Sequence, residues 1–435
     1  MKVVIVNKSD STGGAAVVSR RLAEALRECG VEVRMLVAEK NTDSRFVELA
    51  ASSLRLKQSF LAERLKIFLA NGLDRETLFK IDTASDGVPL HRHPAVREAD
   101  VVCLNWVNQG LLSLKGLEKI FRLGKPVVWT MHDMWNFTGI CHHAGTCPNY
   151  IAGDNGPARG HCGDCPLMKA KAAPGDLSHR ILDQKAKIYG KYSRRLTFVA
   201  VSNWLAGLAR RSTLLERQRI EVIPNAFPFP AESAADKRRE RRRGNDGKFR
   251  IVMGAARLDD PVKGLPILVE ATKRLAALYP DLADKSELVT FGNVKNPDAL
   301  QGIAIAHRHL GLVSGEDKIK EIYEECDAVV STSLYETLPG TLVEGLAYGC
   351  VPVCFNRGGQ SDIVDHLSTG YIASWSDDLD EAATRIAEGL SWAARTHAEN
   401  PDLRPRMEAS ARERFSALAV ARKYIALFRS LIPGK

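Results

Sequence analysis

The chain of 435 residues is too long for one ordinary hydrophobic core and suits two domains of roughly 200 residues each. Its composition, 45% hydrophobic and 26% charged without long low-complexity tracts, excludes a disordered protein, and no apolar run approaches the length of a membrane span. The formal charge of +9 fits an anionic small substrate, an anionic membrane surface or nucleic acid, but no aromatics are interleaved with the basic residues to stack bases, which argues against nucleic acid.

The N-terminal "MKVVIVNKSD" has an apolar run of only four residues before Asn7, far short of a signal peptide, so a cytoplasmic location is expected. That run opens a series of apolar, β-branched segments: "KVVIVN", "VEVRMLVA", "DVVCLNW", "PVVWTMHD", "TFVAVSN" and "IEVIPN". They show no in-out alternation, which is the pattern of parallel strands covered on both faces. Gly13 and Gly14 form a turn between the first strand and a helix predicted over 15–29. The turn is not G-x-G-x-x-G and has no acidic partner of the dehydrogenase kind, so nicotinamide binding is disfavoured. Residues 54–79 form an amphipathic, basic segment, read either as ordinary packing against the first domain or as a surface touching an anionic membrane or a lipid-linked substrate.

In open α/β sheets ligands bind beyond the carboxyl ends of the strands. In the first half those ends carry Gly13, Gly14, Asn105, Trp106, His132, Asp133, Ser202, Asn203 and Asn225. Each also has an ordinary structural reading: His132 as a hydrogen-bonded core histidine, Ser202 or Asn203 as a helix N-cap. Five of the nine cysteines, Cys29, Cys103, Cys326, Cys350 and Cys354, sit in or beside apolar runs and read as buried thiols. The other four, Cys141, Cys147, Cys162 and Cys165, fall in one polar loop as C-x5-C-x14-C-x2-C beside His142, His143 and His161. Four thiolates would suit a structural zinc; a redox pair of Cys162 and Cys165, or free thiols, are the competing readings.

The stretch 227–246 is rich in Pro, Ala, charge and Gly and is read as the linker, placing one domain at 1–226 and a second at 247–410. Its "DKRRERRR", residues 236–243, reads as a solvated insertion. Four further strands follow, "FRIVMGAA", "ELVTFGN", "DAVVSTS" and "VPVCFN", with a helix predicted over 263–278. Arg257 and Lys263, on the loop after the first of these, could neutralise a diphosphate or form a plain surface pair. In "SLYETLPGTLVEGLAYGCVPV", Pro339 suits the first turn of a helix, leaving the amides of Gly340 and Thr341 to meet a phosphate. Glu344 and Glu336 are then placed to hold paired hydroxyls on either side of it. The plainer reading, acids that stabilise the helix dipole, accounts for Glu344 but not Glu336. The segment 411–435 holds a last helix, predicted over 411–432.

The pair Glu336 and Glu344, as E-x7-E followed by "GLAYGCVPVCFNRGGQSDIV", together with "GAARLDDPVKG" and "VIPNAF", strongly resembles glycosyltransferase family 4 over nearly the whole chain. The resemblance implies an α/β chain of GT-B architecture: two Rossmann-like parallel-sheet domains facing each other across a cleft, the acceptor side first and the nucleotide-sugar donor side second. It implies a last helix that crosses back to the first domain. It further implies retaining transfer of a sugar from a UDP- or GDP-sugar to a glycan or lipid-linked acceptor, in cell-envelope polysaccharide assembly, in the cytoplasm or at the inner face of the membrane. No metal or other cofactor would be required for the chemistry. By the same analogy Arg257 and Lys263 bind the diphosphate, Glu344 the ribose and Glu336 the donor sugar. His132 would lie near the reacting sugar, and Gly13 and Gly14 would approach the donor phosphates or the acceptor. Leu338 and Pro339 stand where Phe-Gly often follows the first glutamate, and Asp362 where Glu is commoner; both departures bear on sugar identity rather than fold. A nucleotide-sugar epimerase or hydrolase on the same scaffold, and a non-catalytic sugar-nucleotide-binding protein, are the competing functions.

Overall fold

The computed structural model describes residues 1–151, 162–169, 176–230, 247–400 and 402–432. Most of the linker segment with its basic stretch 236–243, and His161 of the cysteine-rich loop, lie outside the described residues. The chain divides into two compact units, Met1–Ala226 with Val420–Lys435, and Phe227–Ala419.

The first unit is built on strands β1 (Lys2–Ser9), β2 (Glu32–Glu39), β3 (Val47–Leu49), β4 (Val101–Leu104), β5 (Val127–Met131), β6 (Leu196–Ala200) and β7 (Arg219–Val222). They pair in parallel in the order β3-β2-β1-β4-β5-β6-β7. Helices cover such a sheet on both faces, so a central strand has no solvent side: all five residues of β5, VVWTM, are buried. Trp129, Trp135, Tyr189 and Phe198 form an aromatic cluster against β5 and β6, with ring centroids from 5.3 to 6.3 Å apart. The helix Ala417–Leu431 completes this core from Val420 onwards, burying Tyr424 and Phe428; the Tyr424 hydroxyl lies 2.8 Å from that of Thr130.

The second unit repeats the plan with β8 (Phe249–Arg257), β9 (Ser286–Asn293), β10 (Ala306–His309), β11 (Ala328–Ser331), β12 (Val351–Phe355) and β13 (Tyr371–Ala373). The order is β10-β9-β8-β11-β12-β13, again parallel. In each sheet the winding direction reverses once, between β1 and β4 and between β8 and β11. At such a reversal the loops leave in opposite directions and open a crevice at the carboxyl ends of the strands.

All ten apolar runs read from the sequence are strands. The sequence reading missed three: β3, β10 and β13, each of three or four residues at a sheet edge. The single last helix expected over 411–432 is two, Leu403–Phe415 and Ala417–Leu431, separated by Ser416 in extended conformation. The break has a tertiary cause. Phe227 N–H donates to the Phe415 carbonyl and Ala417 N–H donates to the Phe227 carbonyl, both at 3.0 Å, a strand-like bridge that helical backbone at Ser416 would not permit.

Candidate active site

The reversal point of the second unit gathers three loops. The loop after β8 ends in a short turn, Pro261–Lys263, and Gly264, which caps the helix Leu265–Leu278 at φ +65°. A Cβ at Gly264 would stand 2.1 Å from the Thr332 carbonyl oxygen, while the Thr332 hydroxyl donates to the Lys263 carbonyl at 2.9 Å. Only glycine lets the loops after β8 and β11 pass this closely. The consequence is a direct ion pair between Lys263 and Glu336, with the Ser333 hydroxyl 3.3 Å from the same carboxylate oxygen. From β12 the third loop arrives at Gly358, where φ is +64° and a Cβ would meet Glu336 backbone atoms at 2.2 Å; Gly359 N–H donates to the Glu336 carbonyl at 2.7 Å. Glu336 is therefore held by backbone on one side and by Lys263 on the other.

Just beyond, Pro339 stands at the N-cap of the helix Gly340–Ala347 and not inside its first turn as the sequence suggested. Pro339 has no side-chain group with which to cap that start. The amides of Gly340 and Thr341 occupy the first two helical positions, where no intrahelical carbonyl is in reach. Glu344 sits in the second turn, half-buried. Lys263, Glu336 and the Pro339–Thr341 start thus belong to one cluster of loops. Arg257 follows a register shift in β8 between Gly254 and Arg257, and its guanidinium goes to Asp259 at 2.9 Å. The other Asp259 oxygen accepts from the amides of Lys295 and Asn296 at 2.8 and 3.0 Å. Each cation of the expected pair has its own carboxylate, and the side chain of Arg257 is half-exposed.

Sequence reading passed over Gln360. It is fully buried beside Glu336: its amide N–H groups donate to the carbonyls of Ser333 at 3.0 Å and Arg357 at 2.9 Å. Its Oε1 is buried with no hydrogen-bond partner among the described residues. The only signal was its place at the end of an apolar strand after two glycines.

At the first unit's reversal point, Gly13 caps the helix Gly14–Glu28 with φ +89° and ψ 160°, a conformation open essentially to glycine alone. Nothing lies within 4 Å of where a Cβ would be at Gly13 or Gly14. Around them the strand ends are tied to one another. Asn7 accepts from Trp106 N–H at 2.9 Å, and His132 Nε2 and Asn105 Oδ1 are 3.0 Å apart. His132, Asn105 and Asn225 share the wall of a small cavity of about 10 Å³, room for about one water. Burial pulls the His132 imidazole down to about 4, so it is neutral near pH 7. Ser202 is the N-cap of Asn203–Arg210, accepting from Leu205 N–H at 3.2 Å, its ordinary reading.

Asp133 is the centre of a network that sequence did not reveal. Its carboxylate accepts from Trp106 Nε1–H at 2.8 Å, from Trp135 N–H at 2.8 Å and lies 2.7 Å from His142 Nδ1. Burial pushes this carboxyl up, but His142 and the Trp135 amide outweigh it and leave it at about 2. In turn Asp133 holds the His142 imidazole above its usual value against the opposing effect of burial.

Cys141, Cys147, Cys162 and Cys165 all line one cavity of about 240 Å³, together with His143. Every pair among the four is close enough to interact electrostatically. Burial pushes Cys141 and Cys165 up to about 12 and Cys162 to about 11, so these stand as thiols. The Gly139 amide lies 3.2 Å from the Cys162 sulfur. As arranged, no group of three or more His, Cys, Asp or Glu among the described residues could hold a metal ion.

Compared with known proteins, residues 12–228 match the family described as Glycosyltransferase Family 4, and residues 236–414 match Glycosyl transferases group 1. Over 292 residues the chain is 26% identical to the protein named as colanic acid biosynthesis glycosyl transferase WcaC of Escherichia coli K12, covering 66% of this chain and 65%, just under two thirds, of that relative. Over 408 residues it is 24% identical to the D-inositol 3-phosphate glycosyltransferase of Pseudarthrobacter chlorophenolicus, covering 89% of this chain and 87% of that one. Among solved structures, that of Anabaena Alr3699/HepE in complex with UDP-glucose superimposes with a TM-score of 0.57 at 16% identity, covering 99% and 100% of the two chains.

Proposed function

This chain belongs to the group 1, family 4 glycosyltransferases, with the GT-B fold, and from that premise we propose that it moves a sugar from a nucleotide-diphosphate donor to a glycan or lipid-linked acceptor with retention of configuration. Cell-envelope polysaccharide assembly is the proposed setting, in keeping with the named role of the Escherichia coli relative. A UDP- or GDP-sugar is the proposed donor; the complex of Alr3699/HepE with UDP-glucose supports the first. The observation that carries the reading is the Lys263–Glu336 pair beside the uncapped helix start at Gly340. A cation, a hydrogen-bonding carboxylate and free helix amides are what a sugar diphosphate needs, the first and last for the departing phosphates and the second for sugar hydroxyls.

In this reading a bound donor draws Lys263 from Glu336 to the diphosphate, and the released carboxylate takes donor-sugar hydroxyls. Gly340 and Thr341 amides meet a phosphate, Glu344 the ribose, and Arg257 leaves Asp259 to add a second positive charge. His132 is assigned a place beside the reacting sugar as a neutral imidazole, and Gly13 and Gly14 a close approach to donor or acceptor. The sugar–diphosphate bond breaks, the bond to the acceptor oxygen forms, and the proton of the acceptor hydroxyl leaves with the diphosphate. The protein's contribution is positioning and charge stabilisation, with no cofactor required for that step.

Thermal-shift titration with UDP- and GDP-sugars, followed by mass analysis of a mixture with candidate acceptors, tests the proposal. Stabilisation by one donor and mass gain on an acceptor are expected. Sugar released to water or converted to its epimer, with no acceptor modified, would replace transfer by hydrolysis or epimerisation.

We also propose that the four-cysteine cavity takes a structural zinc, the four sulfurs closing inward as they lose their protons. Four cysteine sulfurs around one cavity become, once deprotonated, a donor set that zinc favours. Elemental analysis is expected to find about one zinc per chain, with thermal stability lost on chelation and in Cys162→Ser. Zinc-free protein of unchanged stability under chelator would remove the ion.

A further inference from the structure

The helix Ser53–Ala70 is laid down with the wrong side out for water. Its inward face mixes polar and apolar groups: Glu63 is fully buried, its carboxyl pushed up to about 8 by burial and by Asp82, and Arg64 is nearly buried, 2.7 Å from Asp82 and 3.4 Å from Glu63. That face is fixed by close packing. The Ser59 hydroxyl donates to the Gly110 carbonyl at 2.7 Å, Leu56 and Ile67 are buried, and a Cβ at Gly110 would strike Phe60 backbone atoms at 2.6 Å.

The outward face carries leucines. Leu54, Leu61, Leu65 and Leu69 are 68%, 52%, 56% and 60% exposed. At 3.6 residues per turn they fall within an arc of about 80°, with Gln58 among them. Leu73 and Phe79, just past the helix, are exposed as well. Of thirteen exposed large hydrophobic residues among the described residues, these six come from one short stretch. Scattered exposed leucines mean little, but a stripe of them on a helix that buries Glu63 and Arg64 while leaving four leucines outside is a surface built to be covered.

The charges around the stripe identify the cover. Arg55, Lys57, Lys66, Arg75 and Lys80 are exposed on this segment, against one exposed carboxylate, Glu76; Lys66 also reaches Asp86 at 2.7 Å. A second copy docking face to face would set these cations against their own kind. An anionic bilayer offers both halves of the complement, apolar depth for the leucines and negative headgroups for the rim. Among the described residues no helix is long and apolar enough to cross a membrane. We propose that the helix Ser53–Ala70 docks in the plane of an anionic lipid surface, with Leu54, Leu61, Leu65 and Leu69 in the acyl boundary and the flanking Lys and Arg at the headgroups. This needs no assumption about the reaction; if transfer proceeds as proposed, it favours a lipid-linked acceptor over a free glycan.

Sedimentation of the full chain with vesicles tests it, using pure phosphatidylcholine against equal parts phosphatidylcholine and phosphatidylglycerol. Binding to the anionic vesicles, weakened by high salt, is expected. The double variant Leu61→Asp/Leu65→Asp should bind at least about tenfold more weakly, and Arg55→Glu/Lys57→Glu should lose preference for the anionic vesicles. All four positions are exposed, so unchanged circular dichroism is the folding control. No sedimentation with anionic vesicles, or equal sedimentation of the leucine variant, overturns the proposal. So does a dimer in light scattering that the leucine variant converts to monomer, which would give the face to a second copy. Mass gain on soluble and on vesicle-borne lipid-linked acceptors is read on the same variants: vesicle binding with transfer to neither sinks the function and leaves the docking standing, and transfer without vesicle binding does the reverse.

Discussion

Gly13 and Gly264 hold the same position in the two units, the cap of the first helix after the first strand, and both have positive φ, yet they are glycines for different reasons. Gly264 is hemmed in, since any side chain would collide with the Thr332 carbonyl; Gly13 has open space before it and is required by its dihedral angles alone. The contrast extends to the whole of each strand-end region. In the first unit, Asn7, Asn105, Trp106, His132, Asp133 and His142 satisfy one another and form a pre-set wall. In the second, the loops are pressed together so that a partly exposed lysine and glutamate face each other beside an uncapped helix start. The same sheet reversal can be closed with hydrogen bonds or left charged, and only the charged version is poised to exchange its internal partner for a ligand.

The sharpest way to break this comparison is at Asp133. If the first unit's wall is structural, Asp133→Ala strands His142 and the Trp106 indole N–H, and unfolding in denaturant should show a loss of about 3–5 kcal/mol. A loss of activity with unchanged stability would mean the two regions are not different in kind. Lys263→Ala should do the opposite, lowering kcat/KM for the sugar nucleotide by about a hundredfold while stability moves by under about 1 kcal/mol. The two glycines sharpen the point: Gly264→Ala and Gly13→Ala should each cost about 1–3 kcal/mol, but only the first should also disturb donor binding through the displaced Lys263 loop. The smallest effect is a pH slope. The folded His132 holds off its proton until about pH 4, whereas the unfolded imidazole takes one below about 6.5, so the unfolded state binds more protons between these values. The contribution of His132 to stability should therefore decline as pH falls from 6.5 to 4, opposed by Glu63, whose carboxyl burial pushes up to about 8, and His132→Phe should remove the His132 part, read as the difference between the two stability–pH curves.

Long central strands were legible because burial on both faces writes an unbroken apolar run. Three of the four edge strands, β3, β10 and β13, were not, because so short a segment has no period and is defined by the neighbour it pairs with; the fourth, β7, was marked by "IEVIPN". The helix break at Ser416 was hidden for the same reason: the periodic pattern continues through it, and the interruption comes from Phe227, remote in sequence. At the site, strand-end position picked out Lys263 and Glu336 separately, but their direct pairing depends on Gly264 and Gly358 letting three loops converge. The Asp133–His142 pair and the buried Glu63–Arg64–Asp82 cluster were invisible because a charged residue reads as solvated until its partner is known. The leucine stripe on Ser53–Ala70 shows the converse, since an amphipathic pattern gives two faces and does not say which one turns inward.

Because the stretch from Val420 onwards belongs to the first unit, that unit is interrupted by the whole of the second. On the ribosome, Phe227–Ala419 emerges and can assemble as an uninterrupted piece, while β5 waits with Thr130 unmet until Tyr424 has been translated. The half made first is the half finished last, so a nascent chain stalled shortly before Val420 would carry one mature half and one with a vacancy in its interior.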